Sequence, residues 1–204
     1  MGANLKVELT NYTDSPVESA GRAAGICYDK EEKEDYASFI KGIVGRGHES
    51  VIEHVVFTFR VEDVSRALTH QLVRHRLASY SQRSQRYVDE GEFGYVVPPS
   101  IQESQEAEAK FKEAMDYALD RYDELKAMNV PKEDARFVLP NACHTRIVVT
   151  MNARSLRNFL KVRMEKHAQW EIRQLAQRMY DLVYAVAPPL FEDLRTLRDS
   201  GSES

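Results

Sequence analysis

Arg74, His75 and Arg76 stand in a row, and beyond a seven-residue spacer come Ser84 and then Arg86. Arginine presents a planar fork of donors that grips phosphate in bidentate fashion, and it stays charged at every physiological pH. The run belongs to a wider anomaly. From Val64 to Val88 there is no Asp or Glu, where the overall frequency of acids would place about four. That window holds Arg66, Arg74, Arg76, Arg83, Arg86, His70 and His75 instead. A second acid-free window, Ala135 to Met164, holds Arg136, Arg146, Arg154, Arg157, Lys161 and Arg163. A chain of net charge −4 has cleared negative charge from two separate segments. That is expected if both face a multiply charged anion, which carboxylates would repel. Ser79, Ser81 and Ser84 add hydroxyls and backbone N–H groups suited to an anion nest. Tyr80 and Tyr87 can pack against an aromatic ring or against the core.

Each candidate has a blander explanation. A lone arginine is more often a solvated surface charge, but solvation does not explain two windows cleared of acids. The usual nucleotide signatures are missing: there is no GxxxxGK[ST], and Gly45-Arg46-Gly47 does not continue into GxGxxG. His48-Glu49-Ser50 through Glu53-His54 is not HExxH and lacks a third ligand in register, so a polar turn is expected there rather than a metal site. Cys143-His144 looks like a nucleophile–base dipeptide, but adjacent residues rarely face each other. Ser84 is expected to contact phosphate or backbone rather than act as a nucleophile, because its one conceivable base, His75, lies nine residues away.

The elements that must position these residues read as follows. Residues 4–9 alternate weakly as a strand. Ser15-Pro16-Val17-Glu18 has the pattern of a helix N-cap and opens a helix to about Tyr28. Tyr36, Phe39, Ile40, Ile43 and Val44 fall on one helical face, closed by Gly45-Arg46-Gly47. Residues 55–62 alternate as a strand with Val55, Phe57, Phe59 and Val61 on the buried face. Residues 64–75 read as a helix with Val64, Ala67, Leu68 and Leu72 inward, so Arg74–Arg76 lie at or past its end. A serine-rich loop over 79–87 follows, then a short strand at Tyr95–Val97. A long polar helix spans about 102–128, with Ala107, Phe111, Ala114, Ala118, Tyr122 and Leu125 as a narrow stripe that suggests packing on another subunit. Pro131 opens a helix to about Leu139, and 146–150 form a strand. Asn152 caps a helix over 153–164, which puts Arg154 and Asn158 on one face and Arg163 and His167 on another if it continues that far. Asn152 then lies at the positive helix end. A last helix runs from about 168 to 186 and stops before Pro188-Pro189. The mix is α+β: a modest sheet flanked by helices, one of them long.

Length suits one domain, or at most two small ones; the expectation is a single domain over residues 1–204, with about 190–204 as a frayed tail. Acidity argues against a general nucleic-acid or membrane binder. Cys27 and Cys143 lie in no CxxC motif and suit free thiols in a reducing cytoplasm, with a single disulfide left open. The start MGANLKVELT has no apolar leader pattern, Lys6 breaks the myristoylation pattern, and no apolar run reaches membrane-spanning length, so a cytoplasmic location is expected.

The Arg74-His75-Arg76-x7-Ser84 motif resembles the signature of the flavin-dependent thymidylate synthases (ThyX). Further segments agree in order: His48-Glu49-Ser50 through Glu53-His54, Phe57-Thr58-Phe59, Ala135-Arg136 through Leu139-Pro140, Asn152-Ala153-Arg154-Ser155-Leu156 through Asn158-Phe159-Leu160, and His167-Ala168-Gln169-Trp170-Glu171-Ile172. The resemblance covers most of residues 20–185. It implies a homotetramer whose active sites are assembled from several subunits, with FAD as cofactor and NADPH as reductant. It also implies 5,10-methylenetetrahydrofolate as one-carbon donor and conversion of dUMP to dTMP without an enzyme cysteine nucleophile. By position, Ser50, Arg74, His75, Arg76, Asn152, Arg154 and Asn158 bind FAD, with His48 and His167 nearby. Gln71, Arg74, Arg83, Ser84, Gln85, Arg86, Arg136 and Arg163 hold dUMP. Gln82 lies where both ligands meet, at a position where some relatives carry Glu. The resemblance further implies that Arg163 would stabilise negative charge developing at uracil N3 and O2. Two other readings stand beside this one: an arginine-rich nucleic-acid-binding module, and an enzyme of the same fold acting on another pyrimidine nucleotide.

Overall fold

A computed structural model of the chain describes residues 5–27, 29, 32–91 and 93–200. Among the described residues, β1 (Lys6–Tyr12), β2 (Val56–Ser65), β3 (Ala78–Gln82) and β4 (His144–Asn152) form an antiparallel sheet in the order β1-β2-β4-β3. With the helices described below, the fold is α+β, as the alternation and helical spacing implied.

Helix α1 (Pro16–Ile26) starts where the Ser-Pro pair placed it, but not by the expected cap. Ser15 sits in the left-handed region at φ 45° and makes no side-chain cap bond. Ser19 Oγ instead donates to the Asp14 carbonyl, and Glu18 pairs with Arg22 one turn on. The expected end at Tyr28 lies outside the described residues. Helix α2 (Tyr36–Gly45) buries Ile40, Ile43 and Val44, and the Asp35 carboxylate caps it by accepting from Ser38 N–H. Gly21 carries no Cβ because one would collide with the Tyr36 ring. Gly47, at φ 83°, turns the chain into a 3-10 segment, Glu49–His54.

Strand β2 buries Phe57, Phe59 and Val61, with Val55 buried just before it, and runs to Ser65 rather than stopping at Glu62. Helix α3 is therefore shorter than expected, Arg66–Leu72, with Ser65 Oγ accepting from Leu68 N–H at its start. The serine-rich loop expected over 79–87 is in part strand β3, in which Ser79 and Ser81 point out and Tyr80 and Gln82 are half-buried. Its polar composition hid a period-two pattern. Tyr95–Val97 forms no strand, only a bridge from Tyr95 to Cys143.

The expected helix over about 102–128 is α5 (Gln105–Ala127), begun where the Ser104 hydroxyl accepts from Ala107 N–H, and a separate short helix, α4 (Pro99–Gln102), precedes it. The deepest residues of α5 are Met115 and Tyr122, while Ala114 of the expected stripe is exposed. The helix expected from Pro131 to Leu139 is α6 (Lys132–Ala135) followed by a 3-10 turn, Arg136–Val138. Helix α7 (Ala153–Arg163) is capped as expected by Asn152 Oδ1, which accepts from Ser155 N–H. Helix α8 (Trp170–Val186) starts where Gln169 Oε1 accepts from the N–H groups of Glu171 and Ile172. The frayed tail expected from about 190 is corrected as far as Ser200. Two 3-10 turns lead into α9 (Arg195–Ser200), and Leu190, Phe191 and Leu194 are buried. Residues 201–204 lie outside the described residues.

The chain falls into two compact units, each assembled from separated segments, so no boundary is visible along the sequence. Among the described residues, the first comprises 5–6, 61–71 and 81–147, and the second 7–60, 72–80 and 148–200. In the first, α5 packs on α4 and α6, and Val61, Val64, Leu68, Tyr122 and Ile147 are fully or nearly fully buried. In the second, α7 packs on α8 and on the 3-10 segment, and Phe57 meets Phe191 edge-on at 5.7 Å. Among the described residues no helix is long and apolar enough to cross a membrane.

Candidate functional site

The second unit holds the Arg74–Arg76 segment in a defined conformation. His75 N–H donates to the Leu72 carbonyl, and the Tyr80 hydroxyl is shared between the Leu72 and His75 carbonyls at 2.8 Å each. Burial pushes the Tyr80 hydroxyl up to about 12, so it remains a donor across the physiological range. Beside this segment opens a cavity of about 720 Å³, within the range of cofactor pockets. Arg74, His75, Arg76 and Leu77 form one wall. Met151, Asn152, Arg154, Ser155 and Asn158, from the junction of β4 with α7, form another, and Glu49 and Glu53 contribute from the 3-10 segment. Arg154 and Asn158 share the cavity face, as their spacing implied, and the positive end of α7 is aimed at the same space.

Charge on this wall is unevenly committed. Among the described residues Arg74 and Arg76 have no carboxylate partner. Arg154 pairs with Glu53. Glu49 accepts from Lys161 at 2.9 Å and from Arg157 Nε at 3.0 Å. Burial alone would raise the Glu49 pKa, but these two cations outweigh it and hold it below the usual carboxylate range. Arg157, read from the sequence as one of the anion-facing cations, is corrected. It is 1% exposed and ties α7 to the Asp193 carboxylate, through two 2.7 Å bonds, and to the Leu190 carbonyl.

Arg163, the last residue of α7, donates from Nε to His75 Nε2 at 3.1 Å. The imidazole lies edge-on to Phe159, with centroids 5.0 Å apart. Burial first, and the Arg163 charge second, hold His75 below the ordinary histidine pKa. Burial and the nearby Arg74 lower that of Arg163. Four residues assigned to flavin by resemblance do not line the cavity: His48 and Ser50 are exposed at the 3-10 segment, His167 is exposed beyond α7, and Gln82 belongs to the first unit. Because α7 stops at Arg163, the helical face expected to pair Arg163 with His167 does not form.

The first unit holds most of the residues assigned to dUMP. Gln82 Nε2 donates to the hydroxyls of Thr69 and Thr145, at 3.1 and 3.2 Å. Arg83 lies 3.6 Å from the buried Glu90 carboxylate, whose pKa is raised by burial against the lowering pull of Arg83 and Arg66. Ser84 Oγ accepts from Arg86 N–H, and its carbonyl from Val88 N–H, so this serine closes a tight turn. Gln85 is buried, and its Nε2 has no hydrogen-bond partner among the described residues. Arg86 Nε and Nη2 engage Glu133 Oε2 at 2.9 and 2.8 Å, and Arg136 Nε donates to the Glu133 carbonyl. Gln71 is half-buried at the end of α3.

Glu49, Glu53 and Glu133 lie outside the two acid-free windows, so local composition does not mark their pairing with the cations inside. The signal available was an acid outside each window for the cations inside it. Cys27 and Cys143 are both free thiols, and burial pushes the Cys143 thiol up to about 12, an unreactive state. Among the described residues no cluster of three or more His, Cys, Asp or Glu side chains is suited to a metal.

Fold and cavity together define an α+β protein with an arginine-lined recess suited to a phosphorylated, ring-bearing ligand. Residues 8–189 match the family described as thymidylate synthase complementing protein. Among curated relatives, the flavin-dependent thymidylate synthase of Geobacter sulfurreducens is 46% identical over 93% of this chain and 86% of its own length. That of Clostridium tetani is 44% identical over 92% and 86%, and that of Pyrococcus abyssi 42% over 87% and 78%. The chain belongs to the flavin-dependent thymidylate synthase family and is an enzyme. The nucleic-acid-binding alternative gains no support from these relatives.

Proposed function

We propose that this enzyme converts dUMP to dTMP by reductive methylation, with 5,10-methylenetetrahydrofolate as one-carbon donor, FAD as cofactor and NADPH as reductant. The observation that carries the reading is the cavity lined by Arg74 and Arg76, which pair with no carboxylate among the described residues, together with Arg154, Asn158 and the N-terminus of α7. Such a surface fits a dinucleotide diphosphate: guanidinium forks and a helix end supply positive charge, and the exposed Leu77 supplies apolar surface for a ring. Bound there, FAD supplies the hydride chemistry. Ser50, His48, His167 and Gln82 complete the proposed flavin set.

Gln71, Arg74, Gln82, Arg83, Ser84, Gln85, Arg86, Arg136 and Arg163 are the proposed dUMP ligands. The arginines and the backbone N–H groups near Ser84 take the phosphate. The Arg163 fork stabilises negative charge developing at uracil N3 and O2, which raises electron density at C5 without a cysteine adduct. The working form is a cytoplasmic homotetramer of one-domain subunits, with active sites shared between subunits, and it binds no nucleic acid.

Arg163→Lys tests the assignment. The variant is expected to retain FAD while dUMP affinity or turnover falls about tenfold or more, because a point charge does not reproduce the fork. Unchanged dUMP affinity and rate would remove Arg163 from the mechanism.

A further inference from the structure

We propose that the His75 imidazole is the positioning residue for Arg163: by accepting the Nε–H it fixes the guanidinium plane, leaves both Nη groups for the pyrimidine, and releases the arginine when it is protonated. The proposal rests on the reading of Arg163 as a dUMP ligand.

The geometry is specific. An Arg side chain ending a helix has several soft torsions, and a single bond at Nε removes most of the freedom that would otherwise blur the fork. His75 is itself held on two sides. The Tyr80 hydroxyl binds its backbone carbonyl, and Phe159, one turn before Arg163 on α7, presses edge-on against its ring. Helix α7 therefore sets both the imidazole and the arginine that it receives.

An imidazole accepts at Nε2 only while that nitrogen is unprotonated. The surrounding charges favour this state. From α7 comes Arg163, the charge that acts on the ring, and from β3 the neutral Tyr80 hydroxyl; Arg74, Arg76 and the Glu53-paired Arg154 line the same cavity. The carboxylates across the cavity are engaged elsewhere, Glu49 by Lys161 and Arg157 and Glu53 by Arg154. Burial and Arg163 accordingly keep His75 below the ordinary histidine pKa. At neutral pH the acceptor is available. As pH falls through that depressed value, Nε2 becomes a donor facing a donor, and a further positive charge is placed beside Arg163 and Arg74.

Two measurements on the intact enzyme test this. The first follows the Arg163 Nε–H resonance by NMR, without dUMP, as pH is lowered. It is expected to be protected from exchange near neutrality, to lose that protection as the His75 ring titrates, and to be unprotected in His75→Phe. Equal protection in His75→Phe overturns the positioning role. The second measures the dUMP dissociation constant from pH 5 to 8 in wild type and in His75→Gln, whose amide oxygen accepts but does not titrate. The nucleotide phosphate titrates in the same range, so the difference between the two proteins is the readout. Wild type is expected to lose up to about tenfold more affinity per pH unit than His75→Gln below the His75 pKa, the slope of one linked proton. Parallel profiles together with an Nε–H that responds to His75 would leave the bond real but show that Arg163 does not bind dUMP, which overturns the proposal through the reading on which it rests.

Discussion

Along the cavity wall, Arg74 and Arg76 meet no carboxylate among the described residues, whereas Arg83 and Arg86, only a few positions later in the chain, are already engaged by Glu90 and Glu133. The two stretches look alike in sequence, since both are arginines in one acid-free window. They differ in what a phosphate must do to bind. At Arg74 and Arg76 it meets open donors. At Arg86 it must displace an exposed ion pair, and at Arg83 it competes with a buried carboxylate. Local charge content therefore reports where cations are gathered, and only the fold reports which of them are free.

Arg157 sets the extreme of the engaged class. It is buried and hydrogen-bonded to Glu49, Asp193 and the Leu190 carbonyl. Arg157→Leu is expected to destabilise the protein by about 3 kcal/mol, because it breaks a buried ion-pair network, leaving Asp193 without its cation and Glu49 with Lys161 alone. Equilibrium urea unfolding measures this. The sign of its pH dependence follows from the two carboxylates. Burial raises both pKa values, but their cations leave both net depressed. The stabilisation is thus present above the unfolded carboxylate pKa and is lost as pH falls through the folded values, so the gap between wild type and variant should close in acid. A gap that persists undiminished in acid would assign the loss to packing.

Arg74→Ala probes the open class. Losing one unpaired guanidinium should weaken FAD binding about tenfold or more, the range of a charged hydrogen bond, with little change in unfolding free energy. A variant that unfolds easily but still binds FAD would place Arg74 with Arg157 and erase the distinction. Glu133→Gln should have the smallest effect. Freeing Arg86 from an exposed pair is worth at most about 1 kcal/mol, so dUMP affinity should improve by roughly two- to fivefold at low salt. Weaker binding instead would mean that Glu133 orients Arg86 rather than competing for it.

Much of the fold was legible where periodicity was strong. The apolar face of α2, the buried face of β2 and the cap of α7 by Asn152 follow from spacing and cap chemistry. The failures have physical causes. Strand β3 is polar enough to look like a loop, and Ser15 adopts a left-handed conformation in place of the cap its sequence implied. At the candidate site, Arg74, His75, Arg76, Asn152, Arg154 and Asn158 were legible and the fold gathers them at one cavity. The ion pairs of Arg86, Arg154 and Arg157 were not legible, because their partners are 47 to 108 residues or 36 residues away in the chain and no local pattern joins them.

The most direct test of the account is the absorption spectrum of the purified protein titrated with FAD, with and without dUMP. The account requires a bound-flavin spectrum that shifts when dUMP is added. Absence of flavin binding at low salt would contradict it, because the open arginines at the cavity would then have another purpose.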